Sequence, residues 1–198
     1  MAAMSRMKVG DIETSSIDVR SFDADMTPEE YQKLPKNPLY IILDNLRSAF
    51  NVGAIFRTCD AMRVSGLFLC GYTACPPHVK LQKTSMNTID FVPWKQFRNT
   101  IDAVHYLKDR NIPVWAAETT SRSKAFYKVE IPASLGIVFG NEALGVSKDV
   151  LELCDDLIEI PMYGFKNSLN VAASCAVIGM RVIELMAGTK KATAPIAQ

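Results

Sequence analysis

Short, uninterrupted apolar runs recur along this chain and constrain its fold more than any other feature of the sequence. The clearest are Leu39–Leu43 (LYIIL), Gly66–Gly71 (GLFLCG) and Leu135–Gly140 (LGIVFG). Runs of this kind are typical of strands that are buried on both faces of a parallel sheet. Further strands are predicted at 112–118 and 157–160, and helices at 51–62, 96–110 and 147–153. Residues 83–94 are predicted to be a short irregular or helical piece that ends in a small strand. Because strands and helices alternate, the sequence predicts an α/β fold in which helices cover both faces of a Rossmann-like parallel sheet.

The stretch Ile160–Gly188 predicts a strand end, a tight polar loop and a long apolar helix. Ser168 is a candidate N-cap for that helix, whose first backbone N–H groups would then point into the loop. Ala172, Ala176 and Gly179 form a row of small residues, which predicts close backbone neighbours on more than one side. Taken alone, the stretch fits a buried terminal helix with a polar cap as well as it fits part of a functional site.

The composition excludes several classes of protein. A chain of 198 residues, 48% of them hydrophobic, can fold as one ordinary domain with tails. The formal net charge of +1 gives no overall basic character, so any nucleic-acid site must be a local patch. Five cysteines without a CxxC pair, and no signal-peptide pattern, indicate reduced thiols in the cytoplasm. We expect no metal site and no membrane partner, since neither the histidine spacing nor any apolar run supports one.

Three segments of the chain differ in composition. Residues 1–36 are polar and weakly periodic, and we expect a partly flexible arm or a short docking helix there. Thr27 and Pro28 form a helix-start pattern in which Thr27 is the cap. Residues 37–188 contain the predicted strands and form the folded domain, whereas residues 189–198 are predicted to be a flexible tail.

The loops that follow the predicted strands are the candidate functional segments, because ligands of doubly wound sheets bind at the carboxyl ends of strands. Gly140–Gly145 (GNEALG) is neither a dinucleotide fingerprint, since Glu142 replaces the second glycine, nor a Walker loop. This loop can let bare backbone approach a flat ligand, or it can be a plain turn whose Glu142 pairs with Arg57.

Arg57 lies on a largely apolar helix that we expect Asn51 to cap, so its charge needs a polar cavity or an anionic partner. The residues alone leave open whether Arg57 is functional or only structural, bonded to Glu142 or Asp60.

Three segments together resemble the SpoU (TrmH) family of RNA ribose 2′-O-methyltransferases, within the SPOUT class. They are NVGAIFRT at 51–58, LGIVFGNEALGVS at 135–147 and IPMYGFKNSLNVAASCAV at 160–177. They match the family's pattern in residue, order and spacing, and the resemblance extends over roughly residues 37–187. It implies S-adenosylmethionine as cofactor, a homodimer, and a C-terminal trefoil knot formed by threading the end of the chain through a loop.

The resemblance also implies which residues form the site. The implied catalytic residues are Asn51, Arg57, Glu142, Ser168 and Asn170. The implied cofactor contacts come from backbone groups at Thr119, Gly140, Ile160, Met162 and Leu169. In this family class the active site lies near the dimer interface, so Arg57 serves either its own site or that of the partner subunit.

The expected reaction transfers an activated methyl group to a ribose 2′-hydroxyl, which the protein mainly has to position. Because a guanidinium has a pKa above about 12, we expect Arg57 to grip the target phosphate and lower the effective pKa of the hydroxyl. Asn51 would orient Arg57 or the substrate, and Glu142 would fix Arg57 or the ribose. Ser168 and Asn170 would hold the reacting nucleotide or the geometry of the knot.

The chain departs from the family pattern at Ser85, Met86 and Asn87, where a small alanine- and glycine-rich segment is usual.

A non-catalytic RNA-binding protein that keeps the SpoU fold is the main alternative function, but such a protein would not need all five implied catalytic residues. An unrelated nucleotide-binding oxidoreductase ranks last, because the early glycine fingerprint and the acidic residue after the second strand are missing. The compact chain and its modest charge favour tRNA over rRNA as the substrate.

Overall fold

The computed structural model describes residues 26–188, which form an α/β fold around one parallel sheet. The sheet order is β3-β2-β1-β6-β4-β7-β5, and every strand pair in it is parallel. Its strands are β1 (Asn37–Asp44), β2 (Val64–Cys70), β3 (Trp94–Phe97), β4 (Val114–Ala117), β5 (Lys124–Ala125), β6 (Leu135–Phe139) and β7 (Asp156–Glu159). The predicted α/β class with a parallel sheet and helices on both faces is thereby confirmed.

The sequence predicts only a small strand at the end of residues 83–94, where the edge strand β3 begins, and it does not predict the other edge strand, β5. Both are short and largely exposed, so they lack the long apolar run by which a buried strand is recognised. β3 occupies the start of the helix predicted at 96–110. That helix begins only at Thr100, because the Asn99 side chain accepts a hydrogen bond from the backbone N–H of Asp102 at 2.8 Å and caps it there.

The helices cover both faces of the sheet and bury two separate cores. They are α1 (Pro28–Lys33), α2 (Ala49–Met62), α3 (Val79–Ser85), α4 (Thr100–Lys108), α5 (Lys148–Leu153) and α6 (Val171–Gly188), with a 3₁₀ turn at Thr88–Asp90. α2 and α6 pack on one face, where Ile41 of β1 joins their common core. α4 and α5 pack on the other face around Ile42. Adjacent residues of β1 thus contribute to opposite cores, as the sequence predicted for a strand that is buried on both faces.

α1 is a docked helix, one of the two possibilities that the sequence left open for this segment. Its capping box is complete, with the Thr27 side chain accepting from the Glu30 backbone N–H and the Glu30 side chain accepting from that of Thr27. The Tyr31 hydroxyl donates to the Asp60 carboxylate at 2.7 Å, and its ring meets Phe91 edge-on. These contacts attach α1 to α2. The rest of the predicted arm (1–25) and the predicted tail (189–198) lie outside the described residues.

α6 is long and apolar enough to cross a membrane, judged by length and a mean hydropathy of 1.6. The core helix of a soluble protein meets the same criteria, and one side of α6 is buried against α2 and the sheet. Gly179 lies so close to α2 that an added Cβ would stand 2.4 Å from the Met62 sulfur. Its place in the small-residue row therefore reflects packing between α6 and α2.

The departure at residues 85–87 has a packing explanation. Ser85 is fully buried beside Gly53 of α2, where an added Cβ would stand 3.2 Å from the Ser85 backbone nitrogen. Met86 and Asn87 both adopt left-handed backbone conformations, with φ of 53° and 67°. Glycine takes such conformations most easily. A small buried residue followed by a left-handed turn is thus retained here without an alanine- and glycine-rich sequence.

Candidate active site

A cavity of about 480 Å³ lies at the carboxyl ends of β4, β6 and β7. Its lining includes the five implied cofactor contacts, Thr119, Gly140, Ile160, Met162 and Leu169. Glu142, Ser168 and Asn170 line it as well. Three segments widely separated in sequence thus meet around one space, at the edge of the sheet where ligands of such folds bind.

The loop Gly140–Gly145 forms one wall of the cavity and folds back tightly on itself. Asn141 and Gly145 exchange two backbone hydrogen bonds of 3.0 and 2.9 Å. A Cβ on Gly140 would stand 2.2 Å from the backbone of Gly145, so only glycine fits there. The buried Asn141 side chain accepts from the backbone N–H groups of Ala143 and Leu144, and donates to the Asn45 carbonyl and the Tyr72 hydroxyl. The loop is therefore a preformed wall.

Glu118 is a site residue that the sequence reasoning missed. Its carboxylate accepts hydrogen bonds from the backbone N–H groups of Thr119 (3.0 Å) and Val146 (2.8 Å). It also occupies the space beside Gly145, whose φ is +70° and where an added Cβ would stand 2.4 Å from Glu118 Oε2. Glu118 thus joins the end of β4 to the end of the 140–145 loop. Its position as the last residue of the predicted strand at 112–118 was the available signal.

Glu142 connects the same loop to α2. Its carboxylate accepts from the backbone N–H groups of Arg47 (2.8 Å) and Ser48 (3.0 Å), and from the Asn51 side-chain amide (2.9 Å). Partial burial acts to raise the pKa of Glu142, but these hydrogen bonds outweigh it and hold the pKa below its usual value. Glu142 is therefore an ionised, anchored carboxylate.

Asn51 and Asn170 continue this network to α6. The Asn170 amide donates to the Asn51 side-chain oxygen at 3.1 Å. The Asn170 side-chain oxygen accepts from the backbone N–H groups of Ala172 (2.9 Å) and Ala173 (3.4 Å). Hydrogen bonds thus link Glu142, Asn51 and Asn170 in series, and three of the implied catalytic residues lie together.

Two capping predictions are wrong. Ser48, rather than Asn51, caps α2, because its side chain accepts from the Asn51 backbone N–H at 3.3 Å. Asn170, rather than Ser168, bonds the first free N–H groups of α6, which begins only at Val171. In both cases the residue that was predicted as the cap has another position. The Asn51 amide donates to Glu142, and Ser168 is exposed on the cavity wall.

Arg57 lies apart from this network. It is six residues beyond Asn51 on α2, or about 9 Å along the helix axis, and its side chain is exposed. Within residues 26–188, the ion pairs do not include Arg57, so the suggested structural pairing with Glu142 or Asp60 is not formed. Arg57 is also absent from the lining of the cavity. Its guanidinium is available to an anion from outside the protomer.

The cavity suits a mixed polar and apolar ligand with a flat part. Its volume falls within the range of about 300–1,000 Å³ usual for small-molecule sites. Ile160, Met162 and Leu169 supply apolar wall, while Glu118 and Glu142 supply negative charge. Because no side chain fits at Gly140, the backbone itself forms this part of the cavity wall. A nucleoside with an attached positively charged group matches these properties.

Comparison with known proteins defines the class to which this fold and site belong. Residues 38–180 match the SpoU rRNA Methylase family, so the chain belongs to that family. It is 32% identical over 150 residues to the tRNA (guanosine(18)-2′-O)-methyltransferase of Thermus thermophilus, an alignment that covers 76% of each protein.

Two solved structures are similar in fold. The TrmH/SpoU tRNA-modifying enzyme of A. aeolicus superposes with a TM-score of 0.75 at 26% identity, covering 83% of both chains. The SpoU methyltransferase AviRb of Streptomyces viridochromogenes, solved with AdoMet, superposes with a TM-score of 0.72 at 21% identity, covering 85% of this chain and 67% of the other.

Proposed function

We propose that this protein uses S-adenosylmethionine to methylate a ribose 2′-hydroxyl in structured RNA, with tRNA favoured over rRNA. The observation that carries the proposal is the convergence of Glu142, Asn51 and Asn170 beside the cavity at the carboxyl ends of β4, β6 and β7. The names of the T. thermophilus and A. aeolicus relatives support tRNA as the substrate. The five free cysteines support a reducing, cytoplasmic setting.

The cofactor would be held by backbone at Thr119, Gly140, Ile160, Met162 and Leu169, which all line the cavity. When bound, S-adenosylmethionine supplies a methyl group that is already activated for transfer. The carboxylates of Glu118 and Glu142 favour its positive charge. Because both carboxylates are fixed by backbone N–H groups, the wall needs little rearrangement when the ligand enters.

Glu142, Asn51 and Asn170 would act together as a positioning unit for the ribose. Asn51 donates to Glu142 and accepts from Asn170, so its orientation is fixed from both sides. Ser168, exposed at the cavity wall, would contact the reacting nucleotide. A correctly placed hydroxyl next to an activated methyl group removes most of the entropic cost of the reaction.

Arg57 would complete a site on a second copy of the chain. Val177 and Met180 form an exposed apolar stripe on α6, which supports a homodimer through this helix. A dimer interface there would bring the free guanidinium of Arg57 to the partner's site, where it would bind the target phosphate and lower the effective pKa of the hydroxyl. A solution mass of a single chain would contradict this. The trefoil knot at the C-terminal end of the domain remains part of the same proposal.

Methyl transfer to RNA tests the function directly. Wild-type protein, tritiated S-adenosylmethionine and bulk tRNA or rRNA should give labelled RNA, with the larger incorporation in tRNA. If the protein bound the cofactor and RNA but labelled neither RNA, the alternative of a non-catalytic RNA-binding protein would replace the proposal.

Arg57→Ala tests the assigned role of the arginine. We expect methyl transfer to fall by about 100-fold or more, the effect of removing a charged group used in the transition state. Cofactor affinity, measured by calorimetry with S-adenosylhomocysteine, should change by less than about twofold, because Arg57 does not line the cavity. Arg98→Ala, at another exposed arginine, is the matched control. Unchanged turnover in Arg57→Ala would show that the assignment is wrong.

A further inference from the structure

The loop between β7 and α6 carries two aromatic side chains that are almost fully in solvent. Tyr163 is 93% exposed and Phe165 is 100% exposed. One exposed hydrophobic residue is ordinary, but two large aromatic rings in one short loop form a patch. Each ring can bury an area of about 150–250 Å² against a partner. The arrangement therefore points to a ligand that covers these rings.

The aromatic patch extends to the segment after β5. Tyr163 lies close enough to Tyr127 for their side chains to interact, and this proximity raises the pKa of Tyr163. Tyr127 is 41% exposed and is supported from behind by Phe126, whose ring meets it edge-on at 5.3 Å. Two segments about 36 residues apart in sequence thus place their aromatic side chains side by side.

Two lysines accompany these rings. Lys128 Nζ lies 5.9 Å from the Tyr127 ring centre, and Lys166 Nζ lies 5.9 Å from that of Phe165. Within the described chain, neither lysine forms an ion pair, whereas Lys124 nearby is held by Asp156 at 2.6 Å. Both ammonium groups are exposed and available to an anion. Glu130 and Glu159 are the carboxylates nearest in sequence to these two lysines.

The surface borders the cavity. Met162 and Asn167 line the cavity, and the four residues between them include Tyr163, Phe165 and Lys166. A nucleotide whose ribose enters the cavity would leave its neighbours in the chain above this loop. Aromatic rings beside lysines are the combination that binds single-stranded nucleic acid, because rings stack on bases and ammonium groups attract phosphates.

We propose that Tyr127, Lys128, Tyr163, Phe165 and Lys166 form a subsite for single-stranded RNA, here called the aromatic–lysine surface. It stacks one or two unpaired bases next to the ribose that enters the cavity. The proposal rests on the proposed function for the identity of that ribose. A second copy of the chain is a less suitable occupant, because the exposed stripe of Val177 and Met180 on α6 is aliphatic and better suited to that partner.

A fluorescence experiment on the full chain tests the subsite. The probe is a short, unstructured oligoribonucleotide with one 2-aminopurine, whose fluorescence is quenched when it stacks. Wild-type protein should quench it on binding. The double variant Tyr163→Ala/Phe165→Ala should lose the quenching and bind about tenfold more weakly, within the range for loss of base–aromatic stacking. Phe165→Trp should retain both, and Trp94→Ala, at a 38% exposed aromatic on the opposite edge of the sheet, is the matched control.

Salt dependence and kinetics distinguish this role from a structural one. Lys128→Ala and Lys166→Ala should each reduce the slope of log affinity against log salt by about 0.7, the value for one phosphate contact to a single strand. In the methyl-transfer assay the double aromatic variant should raise KM for RNA about tenfold and change kcat less than about twofold. Its affinity for S-adenosylhomocysteine should equal that of wild type.

Three results would overturn the subsite. They are absence of quenching by wild-type protein, unchanged quenching and affinity in the double variant, and a smaller solution mass of the double variant, which would show that a second copy covers these rings. Failure of the proposed function gives a different result: wild-type protein would quench the probe and lose that quenching in the double variant, yet would methylate no RNA.

Discussion

The two loops that border the cavity are built in opposite ways. The 140–145 loop is held by hydrogen bonds from its own backbone and from the side chains of Glu118, Asn141 and Glu142. Among the described residues, the 161–168 loop has no hydrogen bond of this kind, and its Tyr163 only lies close to Tyr127. The first loop directs its polar groups inward, and the second presents aromatic side chains to solvent.

In the proposed function, this difference separates two tasks of the site, cofactor binding and RNA binding. A small cofactor is recognised with little loss of entropy if the wall of its cavity is already in place. An RNA strand is larger and variable in shape, and a loop with few internal bonds can adjust to it. The comparison predicts that substitutions in the 140–145 wall act on stability and chemistry, whereas those in the 161–168 loop act on RNA binding.

The largest effect should come from breaking the wall at Glu142. Glu142→Ala removes the acceptor for two backbone N–H groups and for the Asn51 amide. We expect methyl transfer to fall by about 100-fold or more, because Asn51 loses its fixed orientation beside the ribose. Glu152→Ala, at an exposed glutamate of α5, should transfer methyl groups like wild type. Turnover in Glu142→Ala within about threefold of wild type would contradict the positioning role.

A pair of glycine substitutions compares the two loops directly. Gly145→Ala needs a left-handed alanine and displaces Glu118, so the free energy of unfolding should fall by about 2–3 kcal/mol. Gly164→Ala adds a Cβ with no atom within 4 Å, and should change stability by less than about 0.5 kcal/mol. Urea unfolding monitored by circular dichroism measures both. Equal effects at the two positions would remove the distinction between a fixed wall and an adjustable loop.

The smallest effect concerns pH. The pKa of Glu142 is held below its usual value of 4.5, so ionised Glu142 stabilises the folded chain above that pH. This contribution is lost as pH falls from 4.5 through the lower pKa of the folded state. Wild type should therefore exceed Glu142→Gln in stability near pH 7, and the difference should shrink as the pH is lowered below 4.5. A difference that stayed constant over that range would mean that the charge of Glu142 is not stabilising.

Sequence reasoning predicted the central strands well because each is a continuous apolar run that only a doubly buried position explains, as at Leu39–Leu43. It predicted only a small strand ending at residue 94, where β3 begins, and it missed β5, whose pairing depends on neighbours supplied by distant segments rather than on its own composition. It assigned the caps of α2 and α6 to Asn51 and Ser168, although Ser48 and Asn170 offer equivalent polar side chains within three residues. Local patterns cannot choose between such neighbours, because the choice depends on partners that folding brings close, Glu142 for Asn51 and Asn51 for Asn170.

The candidate site, like the fold, could be predicted from the sequence only in part. The motifs predicted Asn51, Glu142 and Asn170 as members of one site, and these three residues are connected by hydrogen bonds in the fold. They gave no indication of Glu118, which accepts a hydrogen bond from the backbone N–H of Val146, 28 residues further along the chain. The isolation of Arg57 from the cavity was also not readable from spacing, because it depends on the direction in which α2 turns its side chains.

The nature of the methylated product tests the central claim most directly. RNA labelled by the wild-type protein would be digested to nucleosides and analysed by mass spectrometry. We expect the new methyl group on the ribose, as a 2′-O-methylnucleoside at one main position of a tRNA, and its absence when Arg57→Ala replaces wild type. A methyl group on a base, or a 2′-O-methylnucleoside formed equally well by Arg57→Ala, would contradict the account.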